Sequence, residues 1–82
     1  MLVASRIRVA AADAEGEALR ASVKFPEFNS PHEGYAVILE ELDELWDHVR
    51  ADTGRTFEAR KECIQIAAMA IRYAAELTPV LP

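Results

Sequence analysis

The sequence predicts an all-α fold, a compact antiparallel bundle of about three helices completed by oligomerisation. Three observations predict it. Apolar residues recur at helical spacing in three segments separated by turn signals, and no segment reads as a strand. The third of these segments is apolar around most of its circumference, and two other helices of this size cannot enclose it. Finally, a chain of 82 residues is a single domain at most, able to bury only about 60–65% of its unfolded surface.

The first segment, VASRIRVAAADAEGEALRASV from residue 3 to 23, is rich in Ala, Arg and Glu and places Val3, Ile7, Ala10, Ala14, Ala18 and Leu19 at roughly helical spacing. Gly16 lies inside it, at a cost of up to about 1 kcal/mol against Ala, which marks a place for a kink or break. The stretch 24-KFPEFNSP-31 has two prolines and an Asn-Ser pair, so it reads as a loop, with Phe25 and Phe28 expected to pin it down. The second helix has the clearest start. Ser30 can cap it, Pro31 suits the first helical position, and Glu33 completes a Ser-x-x-Glu capping box. It is expected to run to about Ala51, with Tyr35, Ile38, Leu42, Leu45, Trp46 and Val49 on the stripe that meets a core. Gly54 is expected to stop it, and Thr56 to cap the third helix over residues 57 to 77. That helix keeps only a narrow polar stripe of Glu58, Glu62, Gln65, Arg72 and Glu76; Pro79 lies just beyond its end.

Composition narrows the function. At 51% hydrophobic residues the chain is too apolar to be disordered, and its single cysteine, Cys63, has no partner for an internal disulfide. A net charge of -5 and a pI near 4.9 argue against a nucleic-acid polymer or an anionic membrane as partner. The N-terminal segment lacks the pattern of a signal peptide, and no window approaches a membrane span, so a cytoplasmic location is expected.

The stretch 40-EELDELWDHV-49 is the most charged. Glu40, Glu41, Asp43, Glu44 and Asp47 crowd into ten residues, which is either a solvated helix face or a site for a divalent cation. At about 100° per residue Glu41 flanks the apolar stripe, Glu40, Glu44 and Asp47 lie behind it, and Glu41 and Glu44 share an edge. Glu62 and Gln65 repeat the three-residue spacing on the third helix, which a short turn makes the antiparallel neighbour of the second. Two oxygen pairs then converge between helices, as hard cations such as Mg²⁺ require. His48 is expected to pair with Glu44, Cys63 to be a small buried residue, and Trp46 and Met69 to serve packing.

The segment from Phe25 to Leu77, roughly two thirds of the chain, resembles the MazG-like superfamily of all-α nucleoside triphosphate pyrophosphohydrolases. The family signature is EExxE on one helix and ExxD on the next. Glu40, Glu41 and Glu44 match the first part and Glu62 the second, while Gln65 stands where the signature has Asp. The resemblance implies hydrolysis of a nucleoside triphosphate to monophosphate and pyrophosphate by a homodimer or homotetramer. It implies Mg²⁺, with Mn²⁺ able to replace it, held by Glu41, Glu44 and Glu62 with Gln65 as a weaker ligand or orienting group. Glu40 would orient or deprotonate the attacking water. Lys61, Arg60 and Arg72 are the nearest basic residues for the phosphates, and base and sugar contacts fall to the first helix or a neighbouring subunit. Gln65 carries no charge, so the alternative is a weakly active or inactive helical oligomer of the same fold that binds a nucleotide or protein partner.

Overall fold

The computed structural model describes residues 2–82, which form three helices and no strand among the described residues. They are α1 (Val3–Lys24), α2 (Pro31–Arg50) and α3 (Phe57–Leu77). α1 runs through Gly16 without a break, because a single Gly costs less than the packing gained on either side of it. Ser30 caps α2 by accepting from Glu33 N–H at 3.1 Å. The Glu33 carboxylate reaches one residue further back than a capping box would, accepting from Asn29 N–H and Asn29 Nδ2, both at 3.0 Å. Thr56 caps α3 by accepting from Ala59 N–H at 3.2 Å.

The stop signal of α2 differs from expectation. Asp52, not Gly54, takes the left-handed conformation, with φ of 61°, and no glycine has positive φ. Thr53 N–H donates to His48 O at 2.8 Å and Asp52 N–H to Val49 O at 3.2 Å. Together these bonds make a Schellman closure, which Asp tolerates through its short polar side chain.

α3 is central. It packs antiparallel to α2 and parallel to α1, whereas α1 and α2 do not pack against each other. The α1–α3 seam is built on small residues, with Ala14, Ala18 and Ala21 buried on α1 and Ala59 and Ala68 on α3. Phe28 and Met69 close the core, joined by the half-buried Val37, Ile38, Tyr73 and Leu77. Gly34 lets α2 approach α3: a Cβ there would sit 2.6 Å from Tyr73 Cδ2 and 3.1 Å from Leu77 Cδ1. Gly34→Ala is therefore expected to destabilise the fold by about 1–3 kcal/mol in urea denaturation, despite the better helix propensity of Ala. Adding Tyr73→Leu should recover part of the loss; an additive double mutant would show that the contact is not its source.

The faces turned inward are not those the apolar pattern picks out. On α2 the residues facing α3 are Gly34, Val37, Ile38, Glu41, Leu45 and His48. Tyr35, Leu42, Trp46 and Val49, expected at the core, are 64, 48, 58 and 52% exposed. On α3 the polar stripe of Glu62, Gln65, Arg72 and Glu76 turns inward, with Arg72 only 5% exposed. Cys63, Ala70, Ile71, Ala74 and Ala75 lie exposed. Three helices cannot enclose an α3 that is apolar nearly all round, so its polar stripe takes the groove between α1 and α2 and its apolar side faces outward. The accessible surface is 6377 Å², against about 4,900 Å² for a folded monomer of this mass, an excess of about 1,500 Å². The radius of gyration, 13.7 Å, likewise exceeds the roughly 12 Å of a close-packed chain of this length.

Candidate functional site

Because α1 and α2 stand apart on α3, a groove runs along the inward stripe of α3 between them. One row of side chains from each helix lines it, at the four-residue or three-and-four-residue spacing that keeps a row on one face. α1 and the loop after it give Glu17, Ala21 and Phe25, α2 gives Glu33, Val37 and Glu41, and α3 gives Gln65, Met69 and Arg72. These rows bound a cavity of about 410 Å³ with apolar walls. It opens, through Glu17, Glu41 and Gln65, into a wider space of about 690 Å³ that Glu44, Glu62, Arg60 and Lys61 also line.

Three carboxylates meet at that junction. One oxygen each from Glu41, Glu44 and Glu62 lies within 4.8 Å of the others. Glu41 and Glu44 are three residues apart on α2, and the antiparallel packing of α3 brings Glu62 against both. The cost of this arrangement is visible in two ways. Glu62 Oε2 is buried with no hydrogen-bond partner. Glu41 is pushed up to about 7 by burial first, then by the charge of Glu44, and then by Glu62, whose carboxylate favours a proton on Glu41 and whose charge repels the ionised form. Glu44 is raised as well, chiefly because a proton on it would be shared with the Glu62 carboxylate and then by that residue's charge. When ionised, the carboxylates have no proton to share and repel one another. A proton on Glu41 supplies the missing donor, and a cation would satisfy all three.

This gives a pH dependence opposite to that of an ordinary ion-paired acid. Between the ordinary glutamate value of 4.5 and about 7 native Glu41 holds a proton that the unfolded chain has lost. Its contribution to stability is therefore full below the unfolded value and is lost as pH rises through the folded one. Thermal melts in EDTA are expected to give a lower Tm at pH 8 than at pH 5, and Mg²⁺ to restore Tm at pH 8 by replacing the proton. A Tm at pH 8 unmoved by millimolar Mg²⁺ and Mn²⁺ would count against a cation site.

The other residues singled out in the sequence fall in different places. Gln65 lies at the junction and faces α1, where, after Arg20, it helps hold the Glu17 carboxyl below its ordinary range. Lys61 and Arg60 rim the wider space, and Arg60 donates to Asp13 Oδ2 at 2.7 Å across to α1. Glu40 is exposed, one turn before Glu44 and outside the three-carboxylate group. Arg72 is committed elsewhere. It donates through Nε to Glu76 Oε2 at 2.6 Å and through its terminal nitrogen to Pro26 O at 3.0 Å, and its guanidinium lies 4.4 Å from the centre of the Phe28 ring. Glu76 in turn accepts from Phe28 N–H at 2.7 Å. Burial pushes the Glu76 carboxyl up, but the bonds from Arg72 and Phe28 outweigh it and hold the carboxyl below its ordinary range. The Arg72–Glu76 pair thus straps the loop to α3 and shapes one end of the cavity. His48 Nδ1 pairs with Thr53 Oγ1 at 2.9 Å, not with Glu44.

Sequence reasoning missed Glu17 and Arg20 of α1, which line the site. Their three-residue spacing signals a local ion pair, 2.8 Å long here, but nothing local says which way that pair faces. No family model, curated protein or solved structure matches this chain.

Proposed function

We propose that the chain is a metal-dependent nucleoside triphosphate pyrophosphohydrolase, releasing pyrophosphate and leaving a nucleoside monophosphate. The observation that carries this reading is the convergence of Glu41, Glu44 and Glu62 around the unpartnered Glu62 Oε2, at the mouth of a cavity large enough for a small ligand. Three hard oxygen donors with surplus negative charge fit Mg²⁺ or Mn²⁺, which Glu41, Glu44 and Glu62 would hold, with the Gln65 carbonyl as a neutral fourth donor. A cation bound there offsets phosphate charge and lowers the pKa of a water. Glu40, one turn from Glu44, would accept the proton from that water. Lys61 and Arg60 would meet the phosphates, Arg60 by exchanging Asp13 for them. The base would enter the apolar cavity between Ala21, Val37 and Met69, which would give α1 a part in recognition. Arg72 would serve that end by holding the loop and not by reaching the phosphates. The protein would act as a homodimer or homotetramer, a reading supported by its surplus of about 1,500 Å² of exposed surface.

Pyrophosphate release from a panel of canonical and modified nucleoside triphosphates, with Mg²⁺ and with Mn²⁺, tests the proposal against a Glu44→Ala control. Metal-dependent release that falls at least about a hundredfold in the control is expected. One observation favours a second reading, a binding protein without turnover: Gln65 brings an amide where a further carboxylate would complete the charge, and engages Glu17. If that reading holds, no nucleotide in the panel is turned over, and Gln65→Asp creates metal-dependent release where the native chain has none.

A further inference from the structure

α2 carries a second apolar row that its own bundle leaves uncovered. Tyr35, Leu39, Leu42, Trp46 and Val49 alternate in steps of four and three, the spacing of a helix-pairing seam, and are 64, 39, 48, 58 and 52% exposed. At about 100° per residue this seam points about 180° away from Glu44, so covering it leaves the acidic mouth open. Between the seam and the outer side of α3 lies a groove of about 340 Å³, walled by Tyr35, Ile38, Ala70, Tyr73, Ala74 and Thr78.

We infer that this face binds a second copy of the chain, the two α2 helices crossing antiparallel so that Trp46 of each fills the groove of the other. The inference rests on the self-association proposed above and names its surface. Trp46 stands toward the C-terminal end of α2 and the groove toward its N-terminal end, so only an antiparallel crossing brings them together. A two-fold axis then makes both contacts at once, as a self-complementary interface requires. Trp is among the side chains enriched as anchors in such pockets. Thr78 Oγ1 donates to Ala74 O and keeps lone pairs free to accept from the indole N–H. The surplus of about 1,500 Å² that the whole chain exposes exceeds the roughly 800 Å² that each partner of a stable pair covers, and the five large side chains of this seam are part of what is exposed. A second copy also meets the composition of the patch, since the seam and groove have no charged member that would call for an oppositely charged partner.

Trp46 is the only tryptophan, so its fluorescence reports this contact directly. Sedimentation equilibrium and acrylamide quenching on the native chain are expected to give an even-numbered oligomer with blue-shifted, protected emission. Trp46→Ala, and separately Ala70→Arg, which blocks the groove from an exposed position, should each weaken association at least about 30-fold while helicity by circular dichroism is kept. Two results would overturn the inference, and they differ. A monomer at the highest attainable concentration removes self-association altogether. An oligomer with water-exposed Trp46 and unaffected variants keeps self-association but places it on another face.

Discussion

If the proposed function holds, replacing Glu62 with Gln is expected to lower metal-dependent pyrophosphate release at least about a hundredfold and, in the same protein, to raise thermal stability. The two effects have one cause. Glu62 Oε2 is buried without a partner beside Glu41 and Glu44, and an unsatisfied buried polar atom costs about 1–3 kcal/mol. An amide of the same shape removes a negative charge and brings N–H groups that a neighbouring carboxylate can accept. Glu41 then loses one of the influences that raise it, and stability should fall less steeply with pH across the window up to about 7. A gain of about 1 kcal/mol in the absence of divalent cation is expected, read by urea denaturation at pH 8 in EDTA. The neutral amide would also remove one of the charged ligands proposed for the cation, so the proposed turnover should fall by about a hundredfold or more. A strained, electrostatically unfavourable cluster that loses activity when relieved is the mark of a site kept for function. If Glu62→Gln instead destabilised the protein and left turnover intact, the cluster would be an ordinary packing feature.

Arg72→Ala is expected to cost the fold about 3–5 kcal/mol, close to the whole stability of a small domain. Arg72 and Glu76 have side chains 5 and 10% exposed, in contact at 2.6 Å. Removing the cation leaves the Glu76 carboxylate buried against Phe28 N–H alone. It also strands Pro26 O and uncovers the Phe28 ring. The loop from Phe25 to Ser30 should then detach from α3, read by loss of amide protection there and by a large fall in the urea midpoint. Arg72→Lys keeps the charge but cannot reach Glu76 and Pro26 O with one planar fork, so it should recover only part of the loss. A folded, stable Arg72→Ala protein with a raised KM would return Arg72 to the phosphates.

Much of the fold is legible in the chain because its signals are local. Ser30 and Thr56 cap the helices they were expected to cap, and α3 spans the expected residues 57 to 77. The antiparallel pairing of α2 with α3 follows from the short turn between them. That pairing brings Glu41 and Glu44 to Glu62, so this part of the candidate site was readable from two three-residue spacings and a turn. The Schellman closure at Asp52 was not, because Asp and Gly compete for the left-handed position within two residues of each other. Nor was the role of Arg72. A residue four before a glutamate on a helix reads as a surface pair, and only the return of the loop over it makes the pair buried.

By itself the sequence determined three helices, the N-caps of the second and third, and a group of acids at the spacing that converges between those two. Only the tertiary structure decided which faces are interior. An isolated amphipathic helix is expected to turn its most apolar stripe inward, yet here Glu62, Gln65 and Arg72 of α3 face the groove and Glu76 lies half-buried under the loop, while Trp46, Leu42 and Val49 of α2 face out. The physical reason is a shortage of cover. With α1 and α2 held apart on α3, the chain lacks the surface to enclose every apolar stripe. Neither the polar lining of the groove nor the apolar outer wall is set by periodicity alone.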